Sequence, residues 1–263
     1  MLNNEKGSYE EASRMSLVLR QWIEESQNVV VFTGAGMSTD SGIPDFRSPG
    51  GIWTRMAPIM FEDFLASETT RIEAWKRKFA MDDELGEVAP NAGHEVIATL
   101  VEMGKVSHVI TQNIDNLHQR SGIDESKIIE LHGNNTYAKC LDCDLRHELD
   151  SLREAFFASQ QSQAPGCQNC GGMVKSATIS FGQAMPEREM QRAEAATLSC
   201  DLFLAIGSSL QVFPAAGFPI MARHNGARLV ILTRDPTELD DAASLVLNEE
   251  ITPTLLSLVS LNS

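Results

Sequence analysis

Four of the five cysteines form two pairs with metal-ligand spacing, Cys140-x2-Cys143 and Cys167-x2-Cys170, with 23 residues between them. Two such knuckles let four thiolates converge tetrahedrally on one Zn²⁺, and Gly166, Asn169 and Gly171 allow the tight turns this needs. Two disulfides or a redox pair are the competing readings. The N-terminus is polar and acidic without an apolar leader, so a cytoplasmic location is expected, where structural disulfides are rare. His147 is a possible substitute ligand, but four cysteines already close the shell, so the expected metal is structural rather than catalytic. Cys200 stands alone before an apolar run and reads as a small core residue.

A second group of residues starts where Asn28-Val-Val-Val-Phe32 runs into Thr33-Gly34-Ala35-Gly36. A short β-branched strand ending in a glycine turn opens nucleotide-binding α/β units, because the bare backbone there can approach a pyrophosphate. Gly34 and Gly36 offer that approach, and Ser38 and Thr39 add hydroxyls. The dehydrogenase fingerprint G-x-G-x-x-G is not met, since the third glycine, Gly42, comes three residues late. No Gly-Lys-Ser/Thr follows, so this is not a P-loop. Taken alone, a glycine turn after a strand is commonly structural.

The elements that must position these groups are legible in outline. Residues 10–27 place Ala12, Met15, Leu19, Trp22 and Ile23 at helical spacing. Short apolar runs then alternate with helical stretches: Val106–Ile110, Ile128–Leu131, Ala177–Ser180, Leu202–Ile206, Arg228–Leu232 and Ser244–Val246, with helices near 91–103, Leu117 and Pro186–Leu198. That alternation predicts an α/β fold, a Rossmann-like parallel sheet with helices on both faces. Two segments break the pattern. Residues 48–90 lack strand signals and read as a loop-and-helix insertion, and residues 136–173 are too small for a core of their own and need the metal as a staple. The expected organisation is 1–47 with 91–135 and 174–263 as the nucleotide-binding domain, 48–90 as the insertion and 136–173 as the small zinc-binding module.

Composition narrows the function. The chain has 263 residues, 43% of them apolar, with 21 Lys+Arg against 36 Asp+Glu and a net charge of −15. This argues against nucleic-acid binding and favours basic partners such as lysine-rich peptide segments. Leu202 to Ala222 is uncharged over a membrane-spanning length. Gly207, Ser208, Ser209, Gln211, Pro214, Gly217 and Pro219 make it read instead as strand, loop and helix start, with no membrane association.

The run Gly34-Ala-Gly-Met-Ser-Thr-Asp-Ser-Gly-Ile-Pro-Asp-Phe-Arg47 resembles the NAD-binding signature of the sirtuins, the NAD-dependent protein deacylases. Thr111-Gln-Asn-Ile-Asp-Asn-Leu-His118, Leu131-His-Gly133 and Gly207-Ser-Ser-Leu-Gln-Val-Phe-Pro214 resemble that family's later motifs, with the cysteine knuckles between the last two. Order and spacing agree from about residue 28 to 237. The resemblance implies that Gly34, Ala35, Gly36, Ser38, Thr39, Gly207, Ser208, Ser209 and Val212 hold the pyrophosphate and nearby ribose of NAD. It places Asp45, Phe46 and Arg47 over the reacting nucleotide, and Gln112, Asn113, Ile114 and Asp115 around nicotinamide and ribose, Asp115 accepting from the carboxamide. His132, with Asn113 beside it, is the implied catalytic residue. In the implied mechanism the acyl-lysine oxygen captures C1′ as nicotinamide leaves, and His132 acts as base on the ribose hydroxyls, which an imidazole near its ordinary pKa suits. Ile179, Phe181 and Gly182 are the implied substrate-binding residues. Singly, each of these residues has a structural explanation as a cap, a turn or a surface charge.

The sequence also departs from the family pattern. Ser176 and Gln183 stand where sirtuins usually carry Pro and Glu around the peptide-pairing segment, and Leu232-Thr233 replaces Ile-Asn, leaving Thr233 for the adenosine ribose. Aligned on Trp75, the positions of the Tyr-x-x-Arg pair of succinyl- and malonyl-preferring sirtuins hold Lys78 and Met81. An uncharged acyl group, acetyl or a short chain, is therefore expected. Mono-ADP-ribosyl transfer and a non-enzymatic NAD-sensing or zinc-ribbon module are the alternatives. His94, His108, His118 and His224 carry no assigned chemistry.

Overall fold

The computed structural model describes residues 2–47 and 49–259, with side chains from residue 14 onward, so Ala12 lies outside the described side chains. The chain runs through α1 (Leu2–Glu25), β1 (Val29–Thr33), α2 (Ile52–Arg55), α3 (Phe61–Ala66), α4 (Glu68–Leu85), α5 (Ala92–Glu102), β2 (Val106–Thr111), α6 (Leu117–Arg120), β3 (Ile128–Glu130) and β4 (Gly133–Cys140). It continues with β5 (Arg146–Glu148), α7 (Leu149–Ala158), β6 (Val174–Thr178), α8 (Glu187–Ser199), β7 (Leu202–Ile206), α9 (Gly217–His224), β8 (Arg228–Leu232), β9 (Leu245–Leu247) and α10 (Ile251–Val259).

Six strands pair in the order β3-β2-β1-β7-β8-β9, every neighbour parallel. Every residue of β1 and β7 is buried, as expected of central parallel strands covered on both faces. Side chains alternate across a strand, so one apolar run feeds two cores. Val29 and Val31 join Leu19, Ile23, Ile97, Val230 and Leu255 under α1, α5 and α10. Val30 and Phe32 join Ile110, Phe203, Ala196 and Phe218 under α8 and α9. The uncharged stretch from Leu202 resolves into β7, a loop and α9, and among the described residues no helix is long and apolar enough to cross a membrane.

The structure departs from the sequence expectation in three places. The helix expected over 10–27 runs from Leu2 to Glu25. The strand expected at Ala177–Ser180 is Val174–Thr178, and it pairs antiparallel with β4 in a separate sheet of order β5-β4-β6, outside the parallel sheet. Its Lys-Ser-Ala-Thr sequence suits a short strand of a small sheet better than the doubly covered centre of a large one. The cysteine region is also less bare than its sequence suggests. Ala138 and Cys140 of β4, Leu152 and Phe156 of α7, Cys167 and Val174 form a third core completed by Trp75 and Phe79 of α4. The insertion helix thus supplies the aromatic mass that the small module lacks.

A buried histidine pair sits under the sheet's carboxyl edge. Asn91 caps α5, accepting from the N–H groups of Gly93 (2.9 Å) and His94 (3.3 Å), and this seats His94 with its ring centroid 5.0 Å from that of His118. Both rings are fully enclosed. Burial pushes His94 down to about 4 against the pull of Asp115, and pushes His118 down to about 3 with repulsion from His94 adding to it. Both titrate near 6.5 once unfolded, so below that pH the unfolded chain takes up protons the folded one refuses. Stability is then lost at up to about 1.4 kcal/mol per pH unit for each ring, and the loss is complete only below the folded values. Urea midpoints measured from pH 7 to pH 5 are expected to fall steadily. A midpoint constant over that range would contradict the neutral burial of the pair.

Candidate active site

The loops leaving β1 and β7 meet at the carboxyl edge of the sheet. Gly34 N–H donates to Ile206 O at 3.0 Å, and Gly36 N–H donates to Gly207 O at 2.8 Å. A Cβ at Gly34 would lie 2.7 Å from Gly207 O, and one at Gly36 would lie 2.9 Å from Gly207 Cα. The glycines expected to admit a pyrophosphate are thus required first by the approach of the second loop. Gly207 has φ +63° and faces the Met37 backbone nitrogen, so it too admits no side chain. Gln112 Nε2 donates to Ser208 Oγ at 2.8 Å, tying the β2 loop to the same junction.

Asn113 and Asp115 are held from below. Asn113 Nδ2 donates to Gly34 O (3.0 Å) and to Ser38 Oγ (3.2 Å), while Ser38 Oγ donates to Asp115 Oδ2 (2.6 Å). Leu117 N–H donates to Asp115 Oδ1 at 2.9 Å, so both carboxylate oxygens are oriented. Ser38 is fully buried behind this pair and does not line the cavity; its hydroxyl is committed to Asp115. His118 also gains a role. Its Nε2 is 2.9 Å from Thr33 Oγ1, which is 2.8 Å from Thr111 Oγ1, which accepts from Asn113 N–H at 3.0 Å.

His132 follows β3. Its Nδ1 lies 3.0 Å from Gln112 O, and a carbonyl only accepts, so Nδ1 carries the proton and Nε2 the lone pair. Burial lowers its pKa against the smaller opposing pull of that carbonyl, which keeps the ring neutral near pH 7. On either side of it Glu130 accepts from Gln119 Nε2 and Asn134 Nδ2, both at 2.7 Å, and Asn134 Nδ2 also reaches Asn116 Oδ1 at 3.0 Å. Burial raises the Glu130 pKa. Nothing in the sequence reading singled out this frame, because its members are ordinary polar residues until the turns bring them together.

These groups open onto one cavity of about 1210 Å³. Its lining includes Gly34, Ala35, Gly36, Thr39, Asp45, Phe46, Arg47, Gln112, Asn113, Ile114, Asp115 and His132, with Gly207, Ser208, Ser209, Val212 and Thr233. Ile179, Phe181 and Gly182 line it too, so all the sequence-derived residues except Ser38 and the cysteines reach it. Trp53, missed at the sequence level, bridges the two halves with ring centroids 5.2 Å from Phe46 and 5.3 Å from Phe181. The Arg47 guanidinium lies 4.6 Å above its ring. Lys78 and Met81 both line the cavity, but the Lys78 ammonium is already paired with Asp82.

The four cysteine sulfurs lie within 4.8 Å of one another. Individual Sγ separations are 3.5 Å (Cys140–Cys170), 3.6 Å (Cys143–Cys167) and 3.5 Å (Cys143–Cys170). A disulfide needs about 2.05 Å. Bonds of about 2.3 Å to a tetrahedral Zn²⁺ put sulfurs about 3.8 Å apart, so the cluster fits the metal. His147 is buried outside this cluster.

The sequence pattern of the Sir2 family matches residues 34–214. The chain belongs to that family. It is 56% identical over 237 residues to NAD-dependent protein deacetylase 1 of Bradyrhizobium diazoefficiens, covering 90% of this chain and 92% of that one. It is 38% identical over 219 residues to NAD-dependent protein deacylase 2 of Archaeoglobus fulgidus, covering 83% and 84%. A solved Sir2 complex with a deacetylated p53 peptide and 3′-O-acetyl-ADP-ribose superposes with a TM-score of 0.81 at 32% identity, over 91% of this chain and 95% of that one. These relatives are named as NAD-dependent, and the four cysteines of this chain are placed as a structural zinc site would need.

Cys140 belongs both to the cysteine cluster and to the third core. Replacing Cys140→Ser is expected to abolish zinc retention and lower the melting temperature by more than about 10 °C, because binding a structural metal is folding free energy. Metal analysis and thermal melting check this; full zinc content with an unchanged melting temperature would contradict it.

Proposed function

We propose that this Sir2 protein is an NAD-dependent protein-lysine deacylase, transferring an acyl group from lysine to ADP-ribose with release of nicotinamide. The observation that carries the reading is His132, a neutral imidazole lining the cavity, with its tautomer set by the Gln112 carbonyl. Bound NAD would supply a ribose carbon made electron-poor by loss of nicotinamide and open to the acyl oxygen. Asp115, with both oxygens already oriented by Ser38 and Leu117, would accept from the nicotinamide carboxamide. Asn113 is buried and anchored on Gly34 O beside it. His132 Nε2 then takes the proton of a ribose hydroxyl, which a base near neutral pH does efficiently. Trp53, packed at tilted angles between Phe46 and Phe181, joins the cofactor side to the peptide side.

The substrate side supports an uncharged acyl group. Ile59, Phe64, Trp75 and Met81 give the cavity an apolar wall, and the two α4 cations that line it, Arg77 and Lys78, are already paired with Glu73 and Asp82. A distal carboxylate reaching this wall would have to break one of those pairs to be met there by a cation. The peptide itself would lie along Ile179–Gly182 by main-chain pairing, with the net charge of −15 favouring basic segments.

The test is product analysis with NAD on acetyl-, butyryl-, succinyl- and lipoyl-lysine peptides. Acetyl- or butyryl-lysine is expected to yield free lysine, nicotinamide and O-acyl-ADP-ribose. His132→Ala should keep fold and NAD binding and lose at least about 100-fold in rate. Unchanged turnover in that variant would contradict its role as base, and ADP-ribose attached to protein in place of free lysine would replace deacylation by transferase activity.

A further inference from the structure

Lys175 is a buried cation that the deacylase reading does not use. It sits on β6 at 6% exposure and lines the cavity, and no carboxylate among the described residues lies within ion-pairing distance. Burying an ammonium costs several kcal/mol unless its donors are satisfied. Its only protein partners among the described residues are two backbone carbonyls of its own strand, Thr178 O at 2.5 Å and Ser176 O at 3.4 Å.

Those carbonyls bracket an irregular piece of the sheet. The β4–β6 ladder pairs Gly133 with Thr178 and Ala138 with Ser176, and its register breaks between the two. Gly133, at φ +74°, is pressed so closely on Ala177 that a Cβ there would run into the Ala177 carbonyl. On the far side of the break, Ser176 Oγ donates to Asn135 Oδ1 at 3.2 Å, and Asn135 N–H donates to Ile114 O at 2.8 Å. Just beyond Thr178, Ile179 N–H donates to His132 O at 2.8 Å, and Phe181 O accepts from Phe61 N–H at 2.9 Å. The segment that would pair with a peptide therefore leaves β6 opposite a bulge whose extra residues, 134–137 against Ala177, lie on β4. Lys175 is the side chain that bonds the carbonyls on both sides of that bulge.

We propose that Lys175 is a positioning residue for the acyl-lysine peptide: its ammonium straps the end of β6 opposite the β4 bulge and, together with the Ile179–His132 backbone bond, sets where the Ile179–Gly182 edge lies. The argument rests on the deacylase reading for the identity of the peptide. Ladder bonding ties this segment at Gly133–Thr178 and through Ile179 N–H to His132 O, but the register break leaves the stretch between Ser176 and Thr178 without regular pairing, and Lys175 bonds the carbonyls at its two ends. The strap acts on the peptide side of the cavity, whereas the pyrophosphate side is built on Gly34, Gly36 and Gly207, which Lys175 does not touch.

The test compares two affinities in one protein, that of a labelled acetyl-lysine peptide by fluorescence anisotropy and that of ADP-ribose by calorimetry, with zinc content as the check on folding. Lys175→Met is expected to weaken peptide binding at least tenfold while leaving ADP-ribose affinity within twofold, and Lys175→Arg, which keeps cationic donors, to recover most of the loss. Should Lys175→Met fail to retain zinc, the same ratio is read in Lys175→Gln, where a fivefold or greater rise of peptide over ADP-ribose dissociation constants is expected. A ratio unchanged from wild type, or equal losses of both affinities, would overturn the strap. Turnover of the wild-type protein is read separately: peptide binding without release of free lysine would refute the deacylase reading and leave the affinity ratio to decide on Lys175, while a wild type that binds no acyl-peptide would overturn both.

Discussion

Everything in this cavity hangs from the place where the loops after β1 and β7 touch backbone to backbone. Two hydrogen bonds, Gly34 to Ile206 and Gly36 to Gly207, hold them at a distance that leaves no room for a Cβ on any of the three glycines. The remaining motifs attach to that contact through short side chains. Asn113 reaches the Gly34 carbonyl, Asn91 Nδ2 reaches the Met37 carbonyl at 2.9 Å, and Gln112 reaches Ser208. Segments far apart in the chain are thereby brought into one wall, at the carboxyl edge of a parallel sheet where such folds bind nucleotides.

The polar groups behind that wall are kept neutral or fully bonded rather than paired as ions. His94, His118 and His132 all have pKa values lowered by burial, and Glu130 has one raised by it. A set of this kind is rigid because each member has few alternative partners in a medium where an unmet polar group is costly. It also suits the chemistry, since a base must be deprotonated before it can act. The third core performs a comparable service for the cysteine cluster. Trp75 and Phe79 reach over from α4 to Leu152 and Phe156, so the insertion and the metal-binding segment stabilise each other and together wall the acyl side of the cavity.

Much of this was legible from residue types. The alternation in Val29–Phe32 already implies a strand feeding two cores, and the two Cys-x2-Cys knuckles imply a metal because their chemistry and spacing are local properties. What stayed hidden depends on contacts between distant segments. Ser38 looked like a phosphate contact, yet its hydroxyl belongs to Asp115. Trp53 carried no periodic signal, and its place between Phe46 and Phe181 exists only once two loops fold together. The run near Ala177 reads as a strand of the large sheet because a short strand does not announce its partner, and the partner of β6, β4, lies in a segment whose polar sequence conceals a strand.

If the glycine junction builds the nucleotide site, disturbing it must cost NAD binding and leave the metal-binding part of the protein intact. The most direct test is Gly207→Ala, measured by calorimetry with NAD alongside zinc analysis. A methyl group there meets the Met37 backbone and must push the two loops apart. NAD affinity is expected to fall at least about tenfold, or about 1.4 kcal/mol, with zinc fully retained. Wild-type NAD affinity in the zinc-loaded variant would contradict the claim.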